Sequence, residues 1–164
     1  MRTAFAPLPS GLRWYNGVVL LATWFGCGRV PFAPGTVGAL GALPIALLAL
    51  QWGAVIGVAV TFVIFLIGVR VSTNYSRAAN KKDPSEIVID ETAGQCLCLC
   101  FAPLTLSGVI AAFLLFRLFD IAKPVPIRWI ENRFPDGWGI MLDDIMAAIY
   151  AGAVLLLLRF IELL

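Results

Sequence analysis

Histidine is missing altogether from the 164 residues, and this absence excludes more chemistry than any residue present suggests. Without it there is no histidine-based phosphoryl transfer, no Ser-His-Asp triad and no His-ligated zinc. Whatever the chain does must use carboxylates, amines, guanidiniums, hydroxyls, thiols or a hard metal ion. Charge is scarce as well. Only 13% of residues are charged against 60% hydrophobic, whereas a soluble domain is about a quarter charged. The mean hydropathy of +0.91 places the chain with helical membrane proteins, and its length suits one compact bundle. A net charge of +2 leaves no broad basic face for phosphate backbones, which argues against a nucleic-acid partner. No internal repeat, low-complexity tract or flexible linker interrupts it.

Cysteine is sparse and badly spaced for metal. Cys96, Cys98 and Cys100 alternate in CLCLC, and on a helix the second points about 200° away from the first, so the three cannot converge. They read as small apolar fillers. Cys27 follows Arg2 and an apolar run, as in a lipoprotein signal. Trp24, however, stands where a cleavage site needs a small or aliphatic residue, so no cleavage is expected.

What the chain does have is apolar segments. Residues 37–51 form a short one interrupted by Pro44, expected to kink, and residues 53–73 are long enough to span. Residues 86–101, 104–119 and 140–161 supply further helices, while 12–26 read as an interfacial or half-inserted helix. The fold class expected is an all-α polytopic bundle with about four transmembrane spans. Arg29, Arg77, Lys81, Lys82, Lys123, Arg128 and Arg133 fall on one side, and the connections near 51–53 and 102–107 carry no charge. The positive-inside rule then puts the charged loops in the cytoplasm and the C-terminus outside.

Almost every acid falls on that same side. In DPSEIVIDETAGQ (83–95), Asp83 suits an N-cap, Pro84 the first helical position and Glu86 the helix dipole, so capping and function both stay open for these two acids. Asp90 and Glu91 would lie two turns into the helix. An intramembrane carboxylate costs on the order of 2.5–3.5 kcal/mol near mid-span, which points to a polar cavity or a ligand. Asp143 and Asp144 repeat the pattern at the head of another helix, and adjacent carboxylates repel unless a cation intervenes. With oxygen ligands only, that cation is expected to be Mg2+. Asp120, flanked by Arg117 and Lys123, brings opposite charge to the same layer. GCGRVPFAPGT (26–36) offers a constrained loop ending in Gly35 and Thr36, with Thr36 expected to cap the first span and the backbone N–H groups to attract an anion. An acidic layer beside an anion-binding layer at headgroup depth suggests phosphate chemistry on a lipid.

Four blocks in order, GCGRVPFAPGTVG (26–38), DPSEIVIDETAGQ (83–95), FRLFDIAKPVPIRWIE (116–131) and GWGIMLDDIMA (137–147), resemble the phosphatidylglycerophosphatase A family. The resemblance covers the chain from Gly26 onward, leaving 1–25 as an N-terminal interfacial segment of a single 1–164 domain. It implies a multi-pass enzyme of the bacterial inner membrane, active on the cytoplasmic face. The implied reaction is Mg2+-dependent hydrolysis of the phospholipid phosphatidylglycerophosphate to phosphatidylglycerol and inorganic phosphate. Glu131 stands where the family usually has Asp, Asp136-Gly137 replaces a common Gly-Gly, and Ala39 and Ala148 also depart from its pattern. Glu131 and Asp136 are therefore left out of the expected site.

Asp90, Glu91, Asp143 and Asp144 are expected to hold Mg2+, with Asp120 ligating or orienting the attacking water beside Glu91 and Asp144. Lys123 and Arg117, with Arg29, Gly35 and Thr36, would bind the phosphoryl group, and Asp83 and Glu86 are additional candidates. Neither a Cys-x5-Arg loop nor an Asp-x-Asp motif occurs, which favours direct hydrolysis, with a carboxylate nucleophile still open. Two alternatives use the same carboxylates. A cation-coupled transporter should place them at mid-membrane on a repeat interface. A lipid phosphotransferase using a nucleotide-activated donor should carry a longer spaced acidic motif with an embedded Ala-Arg.

Overall fold

The computed structural model describes residues 6–164, apart from the side chains of Glu131 and Asn132. Residues 1–5, including Arg2, lie outside the described residues. Among the described residues the chain is all helical. Its α-helices are α1 (Gly17–Ala22), α2 (Pro34–Leu50), α3 (Ala54–Ala79), α4 (Ile89–Leu99), α5 (Leu106–Ala122), α6 (Ile127–Arg133) and α7 (Asp136–Phe160), and a 3-10 turn covers Cys27–Arg29.

The architecture is built around its shortest core helix. The 11 residues of α4 rise only about 16 Å, and nearly every side chain is buried because α2, α3, α5 and α7 all pack against it. Small residues allow that approach: Ala39, Ala42 and Ala46 on α2, Ala93 and Cys96 on α4, and Ala147, Ala148 and Ala151 on α7 are buried. The substitutions at Ala39 and Ala148 thus fall in tight helix contacts that alanine still fills. Large apolar side chains such as Val55, Phe62, Leu114 and Leu157 point outward instead, an arrangement suited to a lipid surround. The uncharged turns at 51–53 and 100–105 lie at one end of the bundle, where a Cβ at Gly57 would meet Leu50 and the Cys100 Sγ. At this end Thr105 accepts a 3.1 Å bond from the Gly108 N–H to cap α5.

Two helices, α3 with 26 residues and α7 with 25, are long and apolar enough to cross a membrane. The expected count of four spans is not reached by that measure, since α2 and α5 have 17 residues each and α4 has 11. The expected helix over 12–26 is helical only at Gly17–Ala22, where the Asn16 side chain accepts from the Val18 N–H at 2.9 Å. It stops because Trp24 and Phe25 take left-handed backbone conformations. Helix α2 runs through Pro44 without a break.

Two capping expectations are corrected. Helix α4 starts at Ile89, with Val88 at the N-cap, so Asp83 is not the cap of α4 and Glu86 lies outside the helix. Residues 84–87 form a turn closed by the Ile87 N–H on the Pro84 carbonyl, and the Val88 N–H then bonds Ala22. This contact draws the chain down to its buried starting point. Asp90 and Glu91 consequently occupy the first turn of α4, where carboxylates favour the helix dipole, rather than lying two turns in. Thr36 is likewise no cap. Ala33 holds that place in a left-handed conformation with Pro34 in the first turn, and Gly35 and Thr36 already belong to α2.

Candidate active site

A cavity of about 720 Å3 lies between α1, α2 and α3 and is lined without a single titratable group. The chemistry collects in a smaller one of about 370 Å3 at the other side of α2, where the N-termini of α2 and α4 meet α5 and α7. Six carboxylates line it, Asp83, Asp90, Glu91, Asp120, Asp143 and Asp144, against two bases, Arg117 and Lys123. Such an excess of acid is stable only beside a cation, or with protons held on the carboxylates.

Asp90, Glu91 and Asp144 form the tightest group, each offering one oxygen within 4.8 Å of the other two. Two full charges at that separation repel by about 3–4 kcal/mol at an effective dielectric of about 20. Asp90 and Asp144 are buried and Glu91 nearly so. Asp90 Oδ1, Glu91 Oε2 and Asp144 Oδ2 are buried oxygens without a hydrogen-bond partner. Orphaned acceptors are costly in a folded interior. Three oxygen-only ligands with open lone pairs match a hard divalent cation such as Mg2+.

The basic residues brace the neighbouring acids. Lys123 ends α5 in a left-handed conformation and bonds Asp143 Oδ2 at 2.6 Å through Nζ. Asp143 Oδ1 accepts from the Asp144 N–H at 3.0 Å, and Asp144 turns to the acid group. Arg117 pairs with Asp120 one turn along α5, and its Nη1 lies 3.8 Å from Glu91 Oε1. Asp120 in turn comes within hydrogen-bonding range of Asp144.

Backbone fit makes this convergence possible. A side chain at Gly35 would run into the Glu91 carboxylate and the Arg117 guanidinium, so glycine lets the α2 N-terminus touch the acid group directly. At Gly94 a Cβ would strike the Phe116 ring and the Asp144 carbonyl, so glycine also sets the spacing of α4 from α5 and α7.

Of the residues singled out in the sequence, Asp83, Asp90, Glu91, Asp120, Asp143, Asp144, Arg117, Lys123, Gly35 and Thr36 share this cavity. Arg29 and Glu86 do not line it. Arg29 donates to the Ala6 carbonyl from Nη2 at 3.0 Å, and both residues lie near Tyr75. Asp136 makes an exposed pair with Arg77 at 2.7 Å, away from the site. Cys98 donates to the Ala112 carbonyl and Cys100 to the Cys96 carbonyl, as expected of fillers, and burial pushes the Cys27 thiol up from its ordinary pKa. Sequence reasoning missed Gln95. It is fully buried one turn after Glu91, with both amide atoms unpartnered. An amide at i+4 from an acid, within an otherwise apolar run, was the available signal.

The phosphatidylglycerophosphatase A family model matches residues 20–159. The chain belongs to that family. A phosphatidylglycerophosphatase A of Haemophilus influenzae is 39% identical over 148 residues, covering 88% of this chain and 90% of that protein. The phosphatidylglycerophosphatase A of Escherichia coli K12 is 36% identical over 152 residues, 89% of this chain and 86% of that protein. A Bacteroides thetaiotaomicron protein provisionally named a phosphatidylinositol-3-phosphatase is 38% identical over 156 residues, with 87% and 94% covered. No solved structure matches the chain. The family is one of phosphoric monoester hydrolases, and all four blocks of the sequence lie within the matched region.

Proposed function

We propose that this chain is a Mg2+-dependent phosphatidylglycerophosphatase, releasing inorganic phosphate from phosphatidylglycerophosphate at the cytoplasmic face of a bacterial inner membrane. The observation that carries the reading is the meeting of Asp90, Glu91 and Asp144 in one cavity with Arg117, Lys123 and the α2 N-terminus. Acidic oxygens for a cation and basic groups for a phosphoryl anion are both needed, and here they face each other.

Asp90, Glu91 and Asp144 would hold the Mg2+, which would supply Lewis acidity toward water and the phosphoryl oxygens. Arg117 sits between Glu91 and Asp120, so it orients both carboxylates and presents its remaining N–H groups to the phosphoryl group. The N–H groups of Gly35 and Thr36, unsatisfied in the first turn of α2, face the same space and favour negative charge. Asp120, beside Asp144, is placed to accept the proton of the attacking water. Lys123, held by Asp143, steadies the rim and adds positive charge. Asp143 would position Lys123 and the Asp144 backbone through the contacts it already makes, beside the metal ligation expected from the sequence.

A lipid substrate fits the opening. Helices α2 and α5 both pack on α4 but barely meet each other. Ile121, which lines the cavity, is 70% exposed, and Leu118 and Leu114 continue its stripe down α5 at helical spacing. A phosphorylated headgroup can therefore enter sideways with its acyl chains still in the membrane. The test is phosphate release by purified protein from phosphatidylglycerophosphate, phosphatidylinositol 3-phosphate and soluble glycerol 3-phosphate. Preference for the first supports the reading. Preference for the second would reassign the headgroup, and turnover of the soluble ester alone would contradict a lipid phosphatase. Release only with a nucleotide-activated donor would favour the phosphotransferase alternative, and cation flux without hydrolysis the transporter.

A further inference from the structure

We propose that the groove between α3 and α7, near the acid-bearing end of the bundle, binds the headgroup of an anionic glycerophospholipid, at a site separate from the catalytic cavity. The groove holds about 440 Å3 and is lined by Leu66, Arg70, Asn74, Arg77, Asp136 and Trp138 among others, none of which lines the carboxylate cavity. Arg70, Asn74 and Arg77 are exposed and lie at i, i+4 and i+7, one continuous stripe of α3.

Depth makes Arg70 the informative residue. With α3 beginning at Ala54 beside the uncharged turn, Arg70 lies roughly 24 Å along the helix and Arg77 roughly 35 Å. A hydrocarbon layer of about 30 Å then ends between them. The Arg70 backbone is inside the apolar layer, about a turn short of its boundary, and its side chain faces outward. Arg77 has its counter-ion in Asp136 at 2.7 Å. Arg70 has no acidic partner among the described residues. A guanidinium at this depth reaches up toward the phosphates and is best satisfied by a bidentate anion.

The rest of the groove suits one phospholipid. Leu66 lies one turn deeper, against the start of an acyl chain. The half-exposed Trp138 packs edge-on to Phe65 with 5.8 Å between centroids, placing an amphipathic ring at the interface. Asn74 offers a donor and an acceptor to glycerol or ester oxygens. A choline or ethanolamine headgroup would bring its cation against Arg70, Arg77 and Lys81 of the adjoining surface pocket, whereas an anionic headgroup meets complementary charge.

Native mass spectrometry of the full chain, released from micelles holding equal phosphatidylglycerol and phosphatidylcholine, tests this without using phosphatase activity. The wild-type protein is expected to retain phosphatidylglycerol over phosphatidylcholine, and Arg70→Gln to lower that retention about fivefold, with Arg70→Lys, which keeps the charge but not the bidentate fork, falling between the two. Leu66→Trp, which fills the groove without changing charge, should match the Arg70→Gln loss. Lipid held in the catalytic cavity contributes equally to all four proteins, since none of these changes touches it. Unchanged retention in both Arg70→Gln and Leu66→Trp, or equal retention of phosphatidylcholine, would overturn the proposal.

Discussion

At the residue scale, Glu91 and Asp144 are the positions where the loss of one charge separates ligation from scaffolding. Glu91→Gln and Asp144→Asn keep the shape of the side chain, so helix packing is preserved and buried repulsion falls. Each should lower kcat by on the order of 10²-fold or more, roughly 2.7 kcal/mol of transition-state stabilisation, while insertion and purification stay normal. Wild-type turnover in both variants would eliminate the carboxylate group as the reaction centre. Asp83 calls for a different experiment. Its position before Pro84, with an acid three residues on, is a capping pattern in the sequence. Yet α4 begins six residues later, and Asp83 lines the cavity instead. The pattern misled because capping is a local signal, whereas the bond from Val88 to Ala22 that fixes the helix start is a tertiary one. Asp83→Ala, which removes any capping oxygen, should therefore leave the melting temperature unchanged, measured by thermal unfolding in detergent, and lower activity less than tenfold, well short of the Glu91 effect. A marked loss of stability would restore the capping role.

Among the elements, α4 decides how the site is built. Its apolar run was legible, and so was the meeting of Asp90 and Glu91 with Asp143-Asp144, although the sequence put these two acids two turns in rather than in the first turn. Its length was not. The sequence read as a helix from 86 to 101, while the observed 11 residues form a plug too short to cross a bilayer. Hydrophobicity reports burial equally in lipid and in protein, so the sequence does not tell a spanning helix from a buried one. The spacing of α4 from its neighbours rests on Gly94, where any side chain would meet the Phe116 ring and the Asp144 carbonyl. Gly94→Val should destabilise the protein by about 1–3 kcal/mol, the cost of overpacking, and lower the melting temperature. Activity should fall with it, because Glu91 and Asp144 are on the two helices forced apart. An unchanged melting temperature would mean that α4 has room to shift.

For the whole molecule, the sorting of charge to one end was readable from loop composition alone, because the acids and bases share the connections opposite the bare turns. The division of that end into two separate polar regions was not. Arg70 sits inside an apolar run and looks like part of a span until α7 is seen to leave a groove beside it. The arrangement predicts sidedness. Single cysteines at Lys82 and Arg133, in a background lacking the native thiols, should react with impermeant reagents from the cytoplasmic side, and one at Leu104 from outside. Opposite accessibility of Lys82 and Arg133 would break the single-ended site.

The account rests most heavily on a divalent cation held by Asp90, Glu91 and Asp144. Its most direct test is phosphate release from phosphatidylglycerophosphate during Mg2+ titration of the chelated wild-type protein. Activity should vanish in excess chelator and return saturably with Mg2+, because oxygen ligands are all that the cavity offers a metal. Full turnover in excess chelator would contradict the metal-centred mechanism outright.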